Sequence, residues 1–137
     1  VRKVLPVYEE ILKKLAAAGA EWVQLDEPVM VLDICDITKG NLQHAYERLS
    51  KCGVKILVAT YFDSLRGNMD TAFRLPVDAI HIDLCRGAGQ ANTTFNKPDA
   101  ILDEALSLAG DKALSIGVID GRNIWRNDLS VTLAQLE

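Results

Sequence analysis

Apolar residues follow two patterns that alternate along the chain. Long segments carry apolar side chains three or four positions apart, which is the spacing of an amphipathic helix. Each is followed by a shorter, nearly continuous apolar run, which is typical of a strand buried on both faces. Strands are predicted at residues 21–27, 55–62, 79–85 and 113–120. Because strands that alternate with helices pair in parallel, the pattern predicts an α/β fold of four parallel βα units.

Helices are predicted around these strands. The first contains, at helical spacing, Val4, Tyr8, Ile11, Leu12 and Leu15, and it ends at Gly19. The others are predicted at residues 38–51, 66–74, 99–109 and 130–136, with Thr38 capping the second and Pro98 in the first turn of the fourth. Four βα units make half of a TIM (β/α)8 barrel or a small open sheet, and periodicity alone leaves both open.

The composition limits the classes of partner. The chain of 137 residues has a net charge of −4 and 49% hydrophobic residues, and its arginines are dispersed. We therefore expect no nucleic-acid partner and no membrane partner. Cys35, Cys52 and Cys85 form no C-x-x-C pair, and residues 1–20 contain no apolar signal segment, so we expect a cytoplasmic protein with reduced thiols. The chain begins inside a predicted helix without an initiator methionine, and we expect it to be part of a longer polypeptide.

Polar side chains collect where the predicted strands end, and ligands of parallel sheets and barrels bind at the carboxyl ends of strands. The residues there are Asp26, Glu27, Thr60, Tyr61, Asp63, Asp83, Cys85, Arg86, Asp120, Arg122 and Asn123. Since neighbouring strand residues point to opposite faces, only one of Asp26 and Glu27 can face a barrel interior. That carboxylate can hold a substrate amine or act as a general base, or it can cap a helix or pair with an arginine.

Two further groups of residues invite a functional interpretation. His81, Asp83 and Cys85 alternate on the third predicted strand, but its first and last members are roughly 13 Å apart, too far for one metal ion. We therefore predict a buried, hydrogen-bonded histidine there. After the fourth strand, Arg122 and Arg126 flank Trp125. This group fits an anionic substrate tail, a docking contact with another domain, or an ordinary surface loop.

Four sequence segments carry a resemblance to a known family. They are W-V-Q-L-D-E-P at residues 22–28, A-T-Y-F at 59–62, I-H-I-D-L at 80–84 and G-R-N-I-W-R at 121–126. Taken in this order, they resemble the amino-terminal barrel of cobalamin-independent methionine synthase. The resemblance extends from about Leu5 to the last residue, and its most specific parts are the first and the last segment.

The resemblance implies an enzyme that transfers a methyl group from 5-methyltetrahydrofolate polyglutamate to homocysteine. In that family two barrels face each other, and the carboxy-terminal one holds the catalytic zinc through an H-x-C pair and a glutamate. The matching run here, Val58 to Phe62, has neither ligand of the pair, and Asp83 stands nearest to the glutamate position. The segment is therefore expected to hold no cofactor and no catalytic residue, and to be inactive alone.

The resemblance implies that this segment scaffolds the carboxy-terminal catalytic barrel and forms one wall of the folate cleft. Asp26 matches a position at which the zinc barrel has a folate-contacting aspartate. The candidate substrate-binding residues are Asp26, Asp83 and Arg122.

Two alternatives to this interpretation stay open. A free-standing half-barrel has two unpaired strand edges, and dimerisation would close the ring and bury Val58, Ile82 and Val118. Such a homodimer would be a binding or structural module. The other alternative is a small independent enzyme of the related decarboxylase-like barrels, with candidate residues Asp26, Asp83, Arg86 and Arg122.

Overall fold

A computed structural model describes residues 3–85, 98–122 and 124–134 of the chain. The strands are β1 (Trp22–Asp26), β2 (Lys55–Ala59), β3 (Ala79–Asp83) and β4 (Ala113–Gly117). The helices are α1 (Leu5–Ala17), α2 (Asp36–Leu49), α3 (Met69–Arg74), α4 (Pro98–Ala109) and α5 (Leu129–Ala134). One short 3₁₀ helix, Pro28–Val31, follows β1, and another, Arg66–Asn68, directly precedes α3.

The four strands form one parallel sheet in the order β1-β2-β3-β4. This arrangement confirms the predicted α/β fold of four parallel βα units and is consistent with half of a barrel. Within the described residues, β1 and β4 each pair on one side only. The amphipathic α2 follows the predicted pattern, because Tyr46 and Leu49 are buried while Leu42 and Ala45 pack partly buried against the same core.

One face of the sheet is apolar and packs in the core, whereas the other face carries mainly polar side chains. One face, here called the covered face, contributes Ile56, Val58, Ile80 and Ile82 to the core that also contains helix residues such as Tyr46 and Phe73. The opposite face, here called the open face, carries the alternating residues Gln24, Asp26, Leu57, His81, Asp83 and Ser115. Register places Asp26, Ala59, His81 and Ser115 side by side across it.

Each of the four strands is shorter than predicted. β2 ends at Ala59 instead of residue 62, and Phe62, with φ +86°, lies outside the extended conformation. β3 ends at Asp83 instead of residue 85, because the Asp83 carboxylate accepts a hydrogen bond from the Cys85 N–H at 2.9 Å and turns the chain. β4 ends at Gly117 instead of residue 120. Gly117 pairs with Asp83, which is the last residue of β3.

The start of α2 was also predicted wrongly. The helix begins at Asp36 with Cys35 as the N-cap residue, so Thr38 lies inside the first turn instead of capping it. The extended backbone of Cys35 sets this start, and its carbonyl accepts the Thr38 N–H at 2.9 Å. An acidic residue in the first turn, Asp36, suits the positive end of the helix dipole.

Helix α1 buries less of its apolar surface than its pattern suggests. Leu5 and Leu12 enter the core, whereas Val4, Val7, Tyr8 and Ile11 are about half exposed. These four residues form an apolar strip on the helix, and they are named the α1 strip below. No described residue covers the strip.

The structure contradicts one detail of the dimer alternative. Val58 and Ile82 lie on the covered face, where they are 0% and 2% exposed within a single chain. Val118 also packs, partly buried, against the same core. Pairing of two chains through their sheet edges therefore could not be driven by burial of Val58 and Ile82. No described helix is long and apolar enough to cross a membrane.

Candidate functional site

The carboxyl ends of the strands bring two of the three candidate substrate-binding residues together. Asp83 ends β3 and Arg122 follows β4, and both line a cavity of about 330 Å³ together with Tyr61, Phe62, His81 and Asp120. This cavity is named the strand-end cavity below. Asp26 lines a separate groove of about 710 Å³ beside the β1 edge, with Tyr8, Glu27 and Tyr46.

Asp26 is linked to the strand-end cavity through Tyr61. Its carboxylate accepts hydrogen bonds from the Tyr61 hydroxyl at 3.2 Å and from the Gln24 amide at 2.8 Å. Neither of these two contacts is a helix cap or an arginine. Desolvation raises the pKa of Tyr61, and the hydrogen bond to the Asp26 carboxylate and its charge add to this.

Glu27 directly follows β1 and binds a different partner from its neighbour Asp26. Its carboxylate accepts a hydrogen bond of 2.9 Å from the hydroxyl of Tyr46, a residue of α2 that is 1% exposed. Burial raises the pKa of Glu27, and the Tyr46 hydrogen bond lowers it by less. Burial and the nearby Glu27 carboxylate raise the pKa of Tyr46 in turn. Glu27 therefore belongs to the interior packing of α2 instead of the open face.

His81 is the hydrogen-bonded histidine that the sequence predicted, although it is only partly buried. Its Nδ1 lies 2.9 Å from the Ser115 hydroxyl oxygen on β4. Partial burial lowers the pKa of His81, against smaller opposite effects of Asp83, Ser115 and Asp26. Because the ring lies over Gly117, a Cβ there would come within 2.9 Å of His81 Cε1. The absence of a side chain at Gly117 gives the imidazole its place.

Phe62 and Arg122 form a contact that sequence reasoning missed. The Arg122 guanidinium carbon lies 4.4 Å from the centre of the Phe62 ring, and the Tyr61 ring meets Phe62 edge-on at 4.6 Å between centroids. Phe62 has the positive φ of 86°, which bulky residues rarely adopt. No sequence signal announces this conformation, because glycine or asparagine is the usual residue in it.

The described residues do not form a zinc site. No three His, Cys, Asp or Glu side chains among them are close enough to share one ion. Directly after β2, Thr60 is buried and its hydroxyl donates to the His81 carbonyl at 2.7 Å. Arg86 and Asn123, two of the predicted strand-end residues, lie outside the described residues.

A parallel sheet whose polar groups meet at the carboxyl ends of its strands is the arrangement of barrel-type α/β proteins that bind ligands at that end. Comparison with known proteins identifies the family. Residues 1–137 match the family described as cobalamin-independent synthase, N-terminal domain, and the chain belongs to it.

Three relatives illustrate the similarity, and each is named a 5-methyltetrahydropteroyltriglutamate–homocysteine methyltransferase. The chain is 48% identical to the protein of Salinibacter ruber over 137 residues, 98% of this chain. It is 47% identical to that of Nitrobacter winogradskyi over 136 residues, again 98% of this chain. It is 45% identical to that of Coxiella burnetii over 138 residues, 100% of this chain. The chain spans 16% of the length of each of these curated relatives.

Proposed function

We propose that residues 1–137 form the second half of the amino-terminal barrel of a cobalamin-independent methionine synthase, its strands five to eight. The observation that carries this proposal is the match of residues 1–137 to the N-terminal domain of the family. The chain spans only 16% of the length of its relatives, which fits a part of that domain. A half-barrel in a larger enzyme also explains why β1 and β4 each pair on one side only among the residues that the structure describes.

The α1 strip supports the same assignment. Val4, Val7, Tyr8 and Ile11 are about half exposed, and two of them, Val4 and Tyr8, line the groove that also contains Gln24 and Asp26 of β1. Exposed apolar strips of this kind usually mark surfaces that another segment covers. The preceding half of the barrel would pair with β1 and would cover the α1 strip.

The larger polypeptide would transfer a methyl group from 5-methyltetrahydropteroyltriglutamate to homocysteine. Its carboxy-terminal barrel would hold the zinc, and the present segment would scaffold that barrel and form one wall of the folate cleft in a cytoplasmic enzyme. Asp26, Asp83 and Arg122 would face substrate across this cleft, since all three lie at the carboxyl ends of the strands. The segment alone would be inactive.

The first test is the mass of the native polypeptide in its source, measured by immunoblot with an antibody against this chain. A band several times larger than 15.0 kDa is expected. The native polypeptide and the 137-residue chain are then purified, and zinc content and methyl transfer to homocysteine are measured for both. Activity confined to the longer polypeptide supports the proposal. Stoichiometric zinc or turnover in the 137-residue chain would overturn it.

A second candidate is the homodimer of a free-standing half-barrel. The unpaired sides of β1 and β4 favour it, because open sheet edges tend to pair with another chain. Light scattering on the native protein separates the two candidates. A native band at 15.0 kDa together with a dimeric mass would favour this binding or structural role over methyl transfer.

A further inference from the structure

Asn68 ties together the loops that follow β1 and β2. Its Nδ2 donates hydrogen bonds to the carbonyl oxygens of Met30 and Leu32, each at 2.7 Å. Asn68 is 6% exposed and Met30 is 0% exposed, so the tie lies in the interior. An amide nitrogen has two N–H groups, and both are used here. One buried side chain thus holds two loops at the carboxyl end of the sheet against each other.

This tie takes the place of an ordinary helix cap. Asn68 occupies the N-cap position of α3, where asparagine usually accepts a hydrogen bond from an N–H of the first turn. Its side chain makes no such bond. It binds instead at the carboxyl end of the 3₁₀ helix Pro28–Val31, where carbonyl groups lack partners inside the helix. A residue suited to capping α3 therefore stabilises the contact between the two loops.

The same two loops meet a second time at the surface. The Tyr61 hydroxyl, in the loop after β2, donates to the Asp26 carboxylate at the end of β1 at 3.2 Å. Because water competes for both groups at an exposed position, this bond alone does little to fix the loops. The buried tie at Asn68 therefore limits where Tyr61 and Asp26 can meet.

A short connection leads from the tie to Asp26. The Glu27 carbonyl accepts the Met30 N–H at 3.1 Å, so the 3₁₀ helix is bonded to the residue directly after Asp26. Without the Asn68 amide, the Met30 and Leu32 carbonyls would lose their donor, and buried backbone groups rarely remain unpaired. The loop after β1 would then shift until these groups reach water or another donor. Such a shift would move the Asp26 carboxylate with it.

We propose that Asn68 is a positioning residue for Asp26. It fixes the loop after β1 against the loop after β2, and so it sets where the Asp26 carboxylate meets Tyr61 at the end of the sheet. The inference rests on the proposed function for the substrate that Asp26 faces across the folate cleft. Asn68 itself is buried and acts only through the position of the loop.

The test is steady-state kinetics of the full-length polypeptide with 5-methyltetrahydropteroyltriglutamate as the varied substrate. Asn68→Ala should raise KM roughly 3- to 10-fold, since a displaced carboxylate binds the substrate less well. The value of kcat should change less than about twofold, because the loss affects substrate and transition state alike. Asn68→Ser, a milder variant that retains a hydroxyl, should change KM in the same direction by less.

A double-mutant cycle separates positioning from a general loss of stability. Asp26→Asn should raise KM by itself, because it removes the charge that faces substrate. If Asn68 acts through Asp26, then Asn68→Ala should add less than about twofold to KM in the Asp26→Asn background. Effects that simply multiply would assign Asn68 a purely structural role.

Asp78→Ala is the matched control, because it also removes a hydrogen bond between a side chain and the backbone. The Asp78 carboxylate accepts the Ile56 N–H at 2.8 Å at the amino ends of the strands, far from the two loops. This variant should lower the melting temperature of the polypeptide and leave KM unchanged. Circular dichroism of every variant checks that the fold is retained.

A crystal structure of the Asn68→Ala polypeptide supplies a measurement that does not depend on methyl transfer. The Tyr61 hydroxyl should lie beyond about 3.5 Å from the Asp26 carboxylate, outside hydrogen-bonding distance. An unchanged contact would overturn the proposal, and so would a normal KM in an active Asn68→Ala enzyme. If the native polypeptide lacks methyl transfer, or if Asp26→Asn leaves KM unchanged, the proposed substrate role fails. The displaced contact would then still support Asn68 as the residue that positions Asp26.

Discussion

Ile80 and His81 are neighbours on β3, yet they lie in two different environments. Ile80 is 0% exposed on the covered face, where its contacts are apolar side chains of the sheet and the helices. His81 is partly buried on the open face, where Ser115 binds its ring and Gly117 leaves room for it. The covered face is held by packing that any well-filled core provides, whereas the open face depends on specific polar pairs. The same strand thus contributes apolar packing on one side and polar contacts on the other.

The largest expected effect comes from cutting away apolar volume on the covered face. Ile80→Ala should lower the free energy of unfolding of the isolated chain by about 2–5 kcal/mol, because it leaves a cavity in the core. Leu57→Ala on the partly buried open face should lower it by clearly less. Urea denaturation measures both variants. Equal losses in the isolated chain would contradict the distinction between the faces.

The same pair of variants also tests the half-barrel proposal. In the full-length polypeptide the remaining strands would cover the open face. The effect of Leu57→Ala should then approach that of Ile80→Ala, and an unchanged difference would count against coverage of that face.

The next effect concerns the space over Gly117. Gly117→Ala should destabilise the chain by about 1–3 kcal/mol, because the new Cβ would lie 2.9 Å from His81 Cε1 and 3.2 Å from the Ile82 carbonyl oxygen. Gly121→Ala is the control, since nothing lies within 4 Å of a Cβ there. Adding His81→Ala to Gly117→Ala should recover part of the loss. If it recovers nothing, the ring is not what limits the space.

A smaller effect on stability is expected at Glu27, which packs against α2. Burial raises its pKa above the ordinary 4.5, so the folded state binds more protons than the unfolded state between 4.5 and the raised value. Stability should therefore fall as the pH rises through this window. Glu27→Gln keeps an acceptor for Tyr46 and should be more stable than the parent chain at pH 7, an advantage that disappears below pH 4.5. Urea midpoints across this range measure it, with the exposed Glu47→Gln as a neutral control.

His81 provides the opposite dependence on the open face. Burial lowers its pKa below the ordinary 6.5, so the unfolded state binds more protons in the window between the lowered value and 6.5. Stability should fall as the pH drops through this window, and His81→Gln should remove that part of the pH dependence. His44→Gln, at an exposed position of α2, should not change it. Equal pH profiles for the His81 variant and the parent chain would show that His81 does not titrate differently on folding.

Much of the candidate site depends on geometry that no single segment encodes. The strand-end position of Asp26, Asp83 and Arg122 follows from the alternation of elements, and it was predicted correctly. Sequence reasoning did not predict that Asp26 lies in the groove while Asp83 and Arg122 lie in the strand-end cavity. This division depends on the path of the chain after β2, at Tyr61 and Phe62. The hydrogen bond between His81 and Ser115 joins residues on different strands, and only the register of β3 with β4 brings them together.

Sequence reasoning was enough for the order of helices and strands, the parallel pairing and the family. Apolar spacing is a local property, and a parallel sheet follows once strands alternate with helices. The folded structure was needed to show where each strand stops, which of the Asp26 and Glu27 carboxylates packs against α2, and how Phe62 meets Arg122. These features depend on contacts between residues far apart in the chain, whose distances and desolvation exist only after the strands are in register.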